Sequence, residues 1–251
     1  MPKLVILGSS NAIPDERHEN THLALVGDGK FLLIDCPGNP VVRLRKAGLD
    51  LDQLSDIILT HFHPDHVSGI GLLLMDLWLL GRKRPLRISG LDDTLNKFEQ
   101  LMGLFGWGDW PGFFPVQFNH LPLDEKAFVL EDAEWRIFSS PVFHFIPNIG
   151  LRIESTLTGK VLVYSSDTEP CPQVVRLAHR ADILIHESAG ATHGHSDSSQ
   201  AAEIAQEAGI GRLYLIHYPT GGFADATILT RASEHFDGPV ALAEDFMEIQ
   251  F

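Results

Sequence analysis

Apolar residues come in short runs along this chain, each closed by glycine, proline, asparagine or aspartate. Leu4, Val5, Ile6 and Leu7 read as a strand, with turn residues from Gly8 to Asn11 after it. Two leucine-rich runs follow at 22–26 and 31–34, and Gly27, Asp28 and Gly29 between them predict a hairpin. Residues 41–47 change to helical spacing and stop at Gly48, a natural helix end. Residues 56–60, rich in β-branched side chains, predict a buried strand, and a helix is expected from about Val67. The most apolar stretch, 70–80, contains Asp76 and is too short to cross a bilayer, so it predicts a core helix and no membrane span. A strand at 86–89 and a helix over 92–105 complete the first half.

The second half repeats one theme, an apolar strand that delivers an ionisable residue just past its end. Residues 135–138 and 142–143 lead to His144, 161–164 to Asp167, 182–185 to His186 and Glu187, and 213–216 to His217. Core building alone does not call for this, whereas ligand sites favour strand ends, where rigid strands hold converging loops. Residues 198–205 begin a helix that ends at Gly209. Alternating strands and helices in two halves suggest two sheets packed as a sandwich and covered by helices, as one domain over 1–251.

The densest chemistry lies between the strand at 56–60 and the helix after it. His61, His63, Asp65 and His66 bring three imidazoles and a carboxylate into six positions, and these are ordinary ligands for zinc and similar ions. Pro64 bars helix interior at this point, so these residues are expected on a loop. The bland alternative is a solvated polar loop. Composition changes the picture only in part. The net charge of −14 would repel a polyanion, and two divalent cations would offset about four of those charges. Cys36 and Cys171 have no paired spacing, so neither a disulfide framework nor a cysteine zinc site is expected. The start enters a strand directly, with no signal-peptide pattern, and the cytoplasm is the expected location.

The chain resembles the metallo-β-lactamase superfamily, and most of all the branch of ribonuclease Z and its small phosphodiesterase relatives. The resemblance runs through Leu7 to Ser10, Leu33 to Cys36, the 61–66 motif, Ser165 to Thr168, and Ile216 with His217. It implies an α/β fold, the αβ/βα sandwich, with two divalent metal ions, zinc before manganese or iron. It also implies two ligand sets sharing Asp167: His61, His63 and His144 on one side, and Asp65, His66 and His217 on the other. His144 or His217 taken singly could instead be a hydrogen-bonded core histidine. His186 to Ala189 is similar to that branch's His-Glu-Ala-Thr loop, and Gly194 to Asp197 to its His-Ser-Thr loop, with Asp197 where threonine is usual. That likeness makes His195 a catalytic group, Glu187 its orienting partner, and the following helix N-terminus a place for a phosphate oxygen. The plainer reading makes Ser196 or Asp197 a helix cap and His195 a surface residue.

The implied chemistry is hydrolysis of a phosphodiester by a hydroxide bridging the two ions, with Asp65 accepting a proton and His195 serving the leaving oxygen. The arm that grips transfer RNA in ribonuclease Z has no room between His144 and Asp167, where one strand pair is expected around 151–153 and 158–160. With the negative charge, this favours a small phosphodiester, cyclic or nucleotide-derived, over a long nucleic acid. Transfer-RNA 3′ processing, hydrolysis of a carboxylic ester, thioester or lactone, and a non-hydrolytic binding module are the competing readings. Arg82, Lys83, Arg84 and Arg87 form the basic cluster, read as a solvated helix end in preference to an RNA patch. The aromatic loop at 106–115 is expected over the core, at an oligomer contact, or as a wall of the substrate pocket. Together with the helix at 72–80 it could form a homodimer face.

Overall fold

The computed structural model describes residues 2–251. In chain order its elements are β1 (Lys3–Gly8), β2 (His22–Val26), β3 (Phe31–Ile34), α1 (Pro40–Lys46), β4 (Leu54–Ile58), α2 (Pro64–Val67), α3 (Ile70–Leu79), β5 (Leu86–Leu91), α4 (Asp92–Leu104) and β6 (Val116–Leu121). They continue with β7 (Ala127–Glu131), β8 (Trp135–Val142), β9 (Asn148–Ser155), β10 (Val161–Tyr164), α5 (Pro172–Ala178), β11 (Ile183–Glu187), α6 (Ser198–Ala208), β12 (Arg212–Ile216), α7 (Ile228–Ser233), β13 (Val240–Leu242) and β14 (Glu248–Gln250). The strands make two seven-stranded sheets, ordered β14-β1-β2-β3-β4-β5-β6 and β13-β12-β11-β10-β9-β8-β7. Each half is antiparallel through its first strands and parallel afterwards, changing at the β3–β4 pair and at the β10–β11 pair.

The central strands of both sheets are buried on both faces, which is why they read as continuous apolar runs instead of alternating ones. Leu4 and Ile6 of β1 point into a core between the sheets, with Ile137, Leu151 and Ile185 across from them. Val5 and Leu7 of the same strand point outward to a second core under α1, α3 and α4. A third core lies between the second sheet and α5, α6 and α7. The layers are therefore helix, sheet, sheet, helix: the αβ/βα sandwich. No helix among the described residues is long and apolar enough to cross a membrane.

Several expectations need correction. Asp65 and His66 sit on a short helix, α2, and not on a loop; Pro64 is its first residue, where a missing N–H costs nothing. Residues 158–160 are the turn between β9 and β10, so the second strand of that pair starts at Val161. His186 and Glu187 are the last residues of β11 rather than a loop beyond it. The basic cluster is a solvated helix end only in part: Lys83 and Arg84 are exposed after α3, whereas Arg82 and Arg87 are engaged within the protein. Arg82 is 4% exposed, and its guanidinium donates to the carbonyls of Leu51, Leu54, Arg84 and Pro85. Arg87 pairs with Asp56.

The aromatic loop is not a wall of the site at the strand ends. It enters β6 at its N-terminal end, and β6 runs parallel to β5 and β4. Trp110 stacks on Trp78 of α3, Trp107 meets Phe98 of α4 edge-on, and Phe114 lies in the outer core.

Candidate metal centre

The parallel strands of both sheets point their C-terminal ends at one edge of the sandwich, and the polar residues beyond them meet there. β4 ends at Ile58 and carries the chain into His61 and His63, and α2 then presents Asp65 and His66. Asp167 follows β10, His217 follows β12, and His144 stands in the loop between β8 and β9. The backbone is forced to make these turns tightly. Asp35, Ser166 and His217 all hold positive φ, at 62°, 55° and 54°, a cost that concentrates at functional sites.

Two clusters result. Nδ1 of His63 lies 3.1 Å from Nε2 of His61 and 3.0 Å from Nε2 of His144. In the second, Nε2 of His66 is 3.3 Å from Oδ2 of Asp167 and 3.6 Å from Oδ2 of Asp65, while Nε2 of His217 is 3.3 Å from Asp167. Asp167 also stands 3.9 Å from Nε2 of His61, so it lies between the clusters. All seven side chains named from the sequence therefore come together.

The donors behind them decide what the clusters can hold. His144 Nδ1 donates to the Gly194 carbonyl at 2.7 Å, which leaves Nε2 a lone pair. The Thr60 hydroxyl donates to Asp35, so it accepts from Nδ1 of His61, and Nε2 of His61 is again a lone pair. His66 Nδ1 donates to Asp35 at 2.8 Å. Lone pairs aimed at one point repel each other unless a cation sits among them. Among the described residues, Nε2 of His66 and Oδ1 of Asp167 are buried with no hydrogen-bond partner. The residues thus fit a pair of divalent cations, in chemistry and in unmet bonding.

Titration behaviour agrees. Burial lowers the pKa of His61 well below the imidazole range and that of His217 to about 4, so both are neutral. Burial would raise Asp167, but His217, His66 and His61 hold it well below the carboxylate range. Burial also opposes a charge on His66, yet Asp167 and Asp35 outweigh it and raise the imidazole. The second proton this implies would occupy the spot that suits a cation.

Glu187 is fully buried at the end of β11 and accepts from the N–H groups of Thr168, Ser196 and Ala189 at 3.0, 3.1 and 2.8 Å. Nδ1 of His195 lies 2.9 Å from the same carboxylate. Burial raises Glu187 to about 7 against the pull of His195. Burial also works against a charged His195, but the Glu187 bond and charge prevail and raise it. The His195 ring lies 5.0 Å from that of His144 and stacks on His217 at 5.9 Å. His186, the neighbour of Glu187, faces the opposite side of the strand and is absent from the cluster.

At the N-terminus of the helix after His195, one of the free amides is already taken. The Asp197 carboxylate already accepts from Gln200 N, and the Gln200 side chain returns the bond in a capping box. Sequence reasoning missed Asp35 as a working residue, although it stands at a strand end like the others. It missed Asn148, which donates to the Asp167 carbonyl at 2.8 Å, and Glu169, which accepts from Gly194 N at 2.6 Å. Neither carried a signal in the chain.

A family profile described as "Beta-lactamase superfamily domain" matches residues 31–218. Ribonuclease Z of Methanothermobacter thermautotrophicus is 27% identical over 306 aligned positions, covering 100% of this chain and 97% of that protein. That alignment is longer than the 251 residues here, so the archaeal protein carries segments that this chain lacks. Two solved structures share the fold: the metallo-β-lactamase fold protein YhfI from Bacillus subtilis (TM-score 0.84, 23% identity, 98% of each chain) and human tRNase Z, short form (TM-score 0.80, 24% identity, 99% of this chain and 98% of that one). Their identity is low enough that the likeness speaks for the fold alone. The profile match over most of the chain, on a sandwich whose strand ends gather imidazoles and carboxylates, means that this chain belongs to the metallo-β-lactamase superfamily, among its ribonuclease Z-like hydrolases.

Proposed function

We infer that this chain is a metal-dependent phosphodiesterase acting on small phosphodiesters, cyclic or nucleotide-derived. The observation that carries the reading is the Glu187–His195 pair, whose imidazole faces the clusters with Nδ1 engaged and Nε2 left for substrate. A thioester hydrolase, which expels an easily lost thiolate, has less use for such a donor. His61, His63, His144 and Asp167 would hold one ion, and Asp65, His66, Asp167 and His217 the other, with zinc the expected metal. Bound divalent cations would supply Lewis acidity to the phosphate oxygens and acidify a water.

The chain's own groups do the rest. Asp65, 15% exposed and at the rim of the second cluster, accepts the proton of the attacking water. His195 gives a proton to the departing oxygen, and Glu187 keeps its ring aimed and its charge favourable. Transfer-RNA 3′ processing is the second reading, favoured by the names of the relatives. The basic cluster stands against it, since Arg82 and Arg87 are internally paired at the starts of β4 and β5 and the cluster lies roughly 15 Å of strand from the metal edge. Free Cys36 and Cys171 suit a reducing interior such as the cytoplasm.

The test is turnover of bis-p-nitrophenyl phosphate against p-nitrophenyl acetate, a lactone panel and a 3′-extended transfer RNA, with bound metal counted. The phosphodiester should be turned over fastest. Preference for the acetate, the lactones or the transfer RNA would replace this reading by the corresponding alternative.

A further inference from the structure

Phe145 follows directly on His144 and is 53% exposed, although it lies at the mouth of the metal edge. Its ring centroid is 5.0 Å from those of His144 and His193, 5.9 Å from His195 and 6.3 Å from His63. It belongs to none of the three apolar cores. The ring's position is built. Gly194 holds φ +81°, and a Cβ there would come within 2.6 Å of the Phe145 ring and 3.1 Å of His144 Nδ1. The Gly194 N–H and carbonyl are tied to Glu169 and His144, and His193 Nδ1 lies 2.7 Å from the Glu169 carboxylate. Phe145 and His193 stand at 87° to one another, beside the backbone that carries His195.

An exposed phenyl ring bordered by imidazoles and a bare glycine offers flat surfaces and no apolar groove. It suits a planar group rather than a flexible hydrocarbon chain. The basic cluster lies at the other end of the sandwich and does not reach the rest of a small anionic ester bound here. Stacking is a binding force that needs no positive charge. The geometry points to Phe145 as a base-stacking platform that makes this site select phosphodiesters bearing a nucleobase beside the scissile group. This rests on the phosphodiesterase reading and narrows it to nucleotide-derived substrates.

Adenosine 5′-monophosphate and ribose 5-phosphate carry the same phosphate and sugar, with and without a base. Calorimetric titration of the zinc-loaded protein should find the nucleotide bound about 5- to 150-fold more tightly, the range expected for one stacked base. In Phe145→Leu, with unchanged zinc content and thermal midpoint, the ratio should fall to within about threefold of unity, while Phe145→Trp should keep it. Equal binding of the two ligands by the parent protein, or an unchanged ratio in Phe145→Leu, overturns the proposal. The two readings fail separately. Equal binding of the two ligands by a parent protein that turns over bis-p-nitrophenyl phosphate removes only the platform, and a parent that keeps the ratio without turnover removes only the phosphodiesterase reading.

Discussion

At the scale of single residues, the carboxylates behind the imidazoles carry as much consequence as the imidazoles themselves. Asp35 fixes His66 through Nδ1 and takes both the amide and the hydroxyl of Thr60, so it sets which nitrogen faces the ions. Asp35→Ala should weaken metal binding about 10- to 100-fold, read by competition with a chromophoric chelator. Unaltered affinity would mean that His66 is oriented by something else. His195→Ala should lower turnover of a phosphodiester with an alkoxide leaving group, such as a 2′,3′-cyclic nucleotide, by roughly 10²- to 10⁴-fold while metal content is unchanged, and full activity on it would remove the role of His195 at the leaving oxygen. His186 makes a different kind of prediction. Burial depresses its pKa to about 4, below its ordinary 6.5. Below pH 6.5 the unfolded chain takes up a proton that the folded chain refuses. The stability present above pH 6.5 is therefore lost as pH falls towards 4, by up to about 2 kcal/mol between pH 7 and 5. His22, also near 4, adds in the same direction. Urea midpoints should fall over that interval, and His186→Asn should flatten the slope.

At the scale of elements, α6 separates stability from catalysis although its first turn adjoins His195. Asp197 and Gln200 close a capping box, and Gly209 ends the helix in the left-handed conformation at φ 64°. Asp197→Ala should cost about 1 kcal/mol in urea unfolding, and Asp197→Thr, another good cap, much less. Turnover should change by less than about twofold in either, since the carboxylate points at backbone amides. A large kinetic effect would give Asp197 a place in the chemistry. The four-residue helix α2 is an element that pattern reading could not find. Pro64 reads as a breaker until one knows that the chain turns at His63, which places the proline first in a new helix.

At the scale of the whole molecule, the two ends of the sandwich do separate work. Trp110 stacks on Trp78 at 5.2 Å, over the outer core and at the start of β6. Trp110→Ala should lower stability by about 1–3 kcal/mol and leave kcat and KM within about twofold, checked by parallel unfolding and steady-state assays. A kinetic defect would mean that the distal end communicates with the site. The apolar runs and the strand-end histidines and aspartates were legible in the chain, because two-sided burial demands continuous hydrophobicity and a metal site demands particular ligand chemistry. So the sequence by itself determined the sandwich and the seven side chains that converge at its edge. Only the tertiary structure decided which carboxylates stand behind them, that the basic cluster lies at the far end with Arg82 and Arg87 paired there, and that Phe145 is held beside His195. Those facts depend on where distant backbone amides and carbonyls come to lie, and local residue patterns do not encode that.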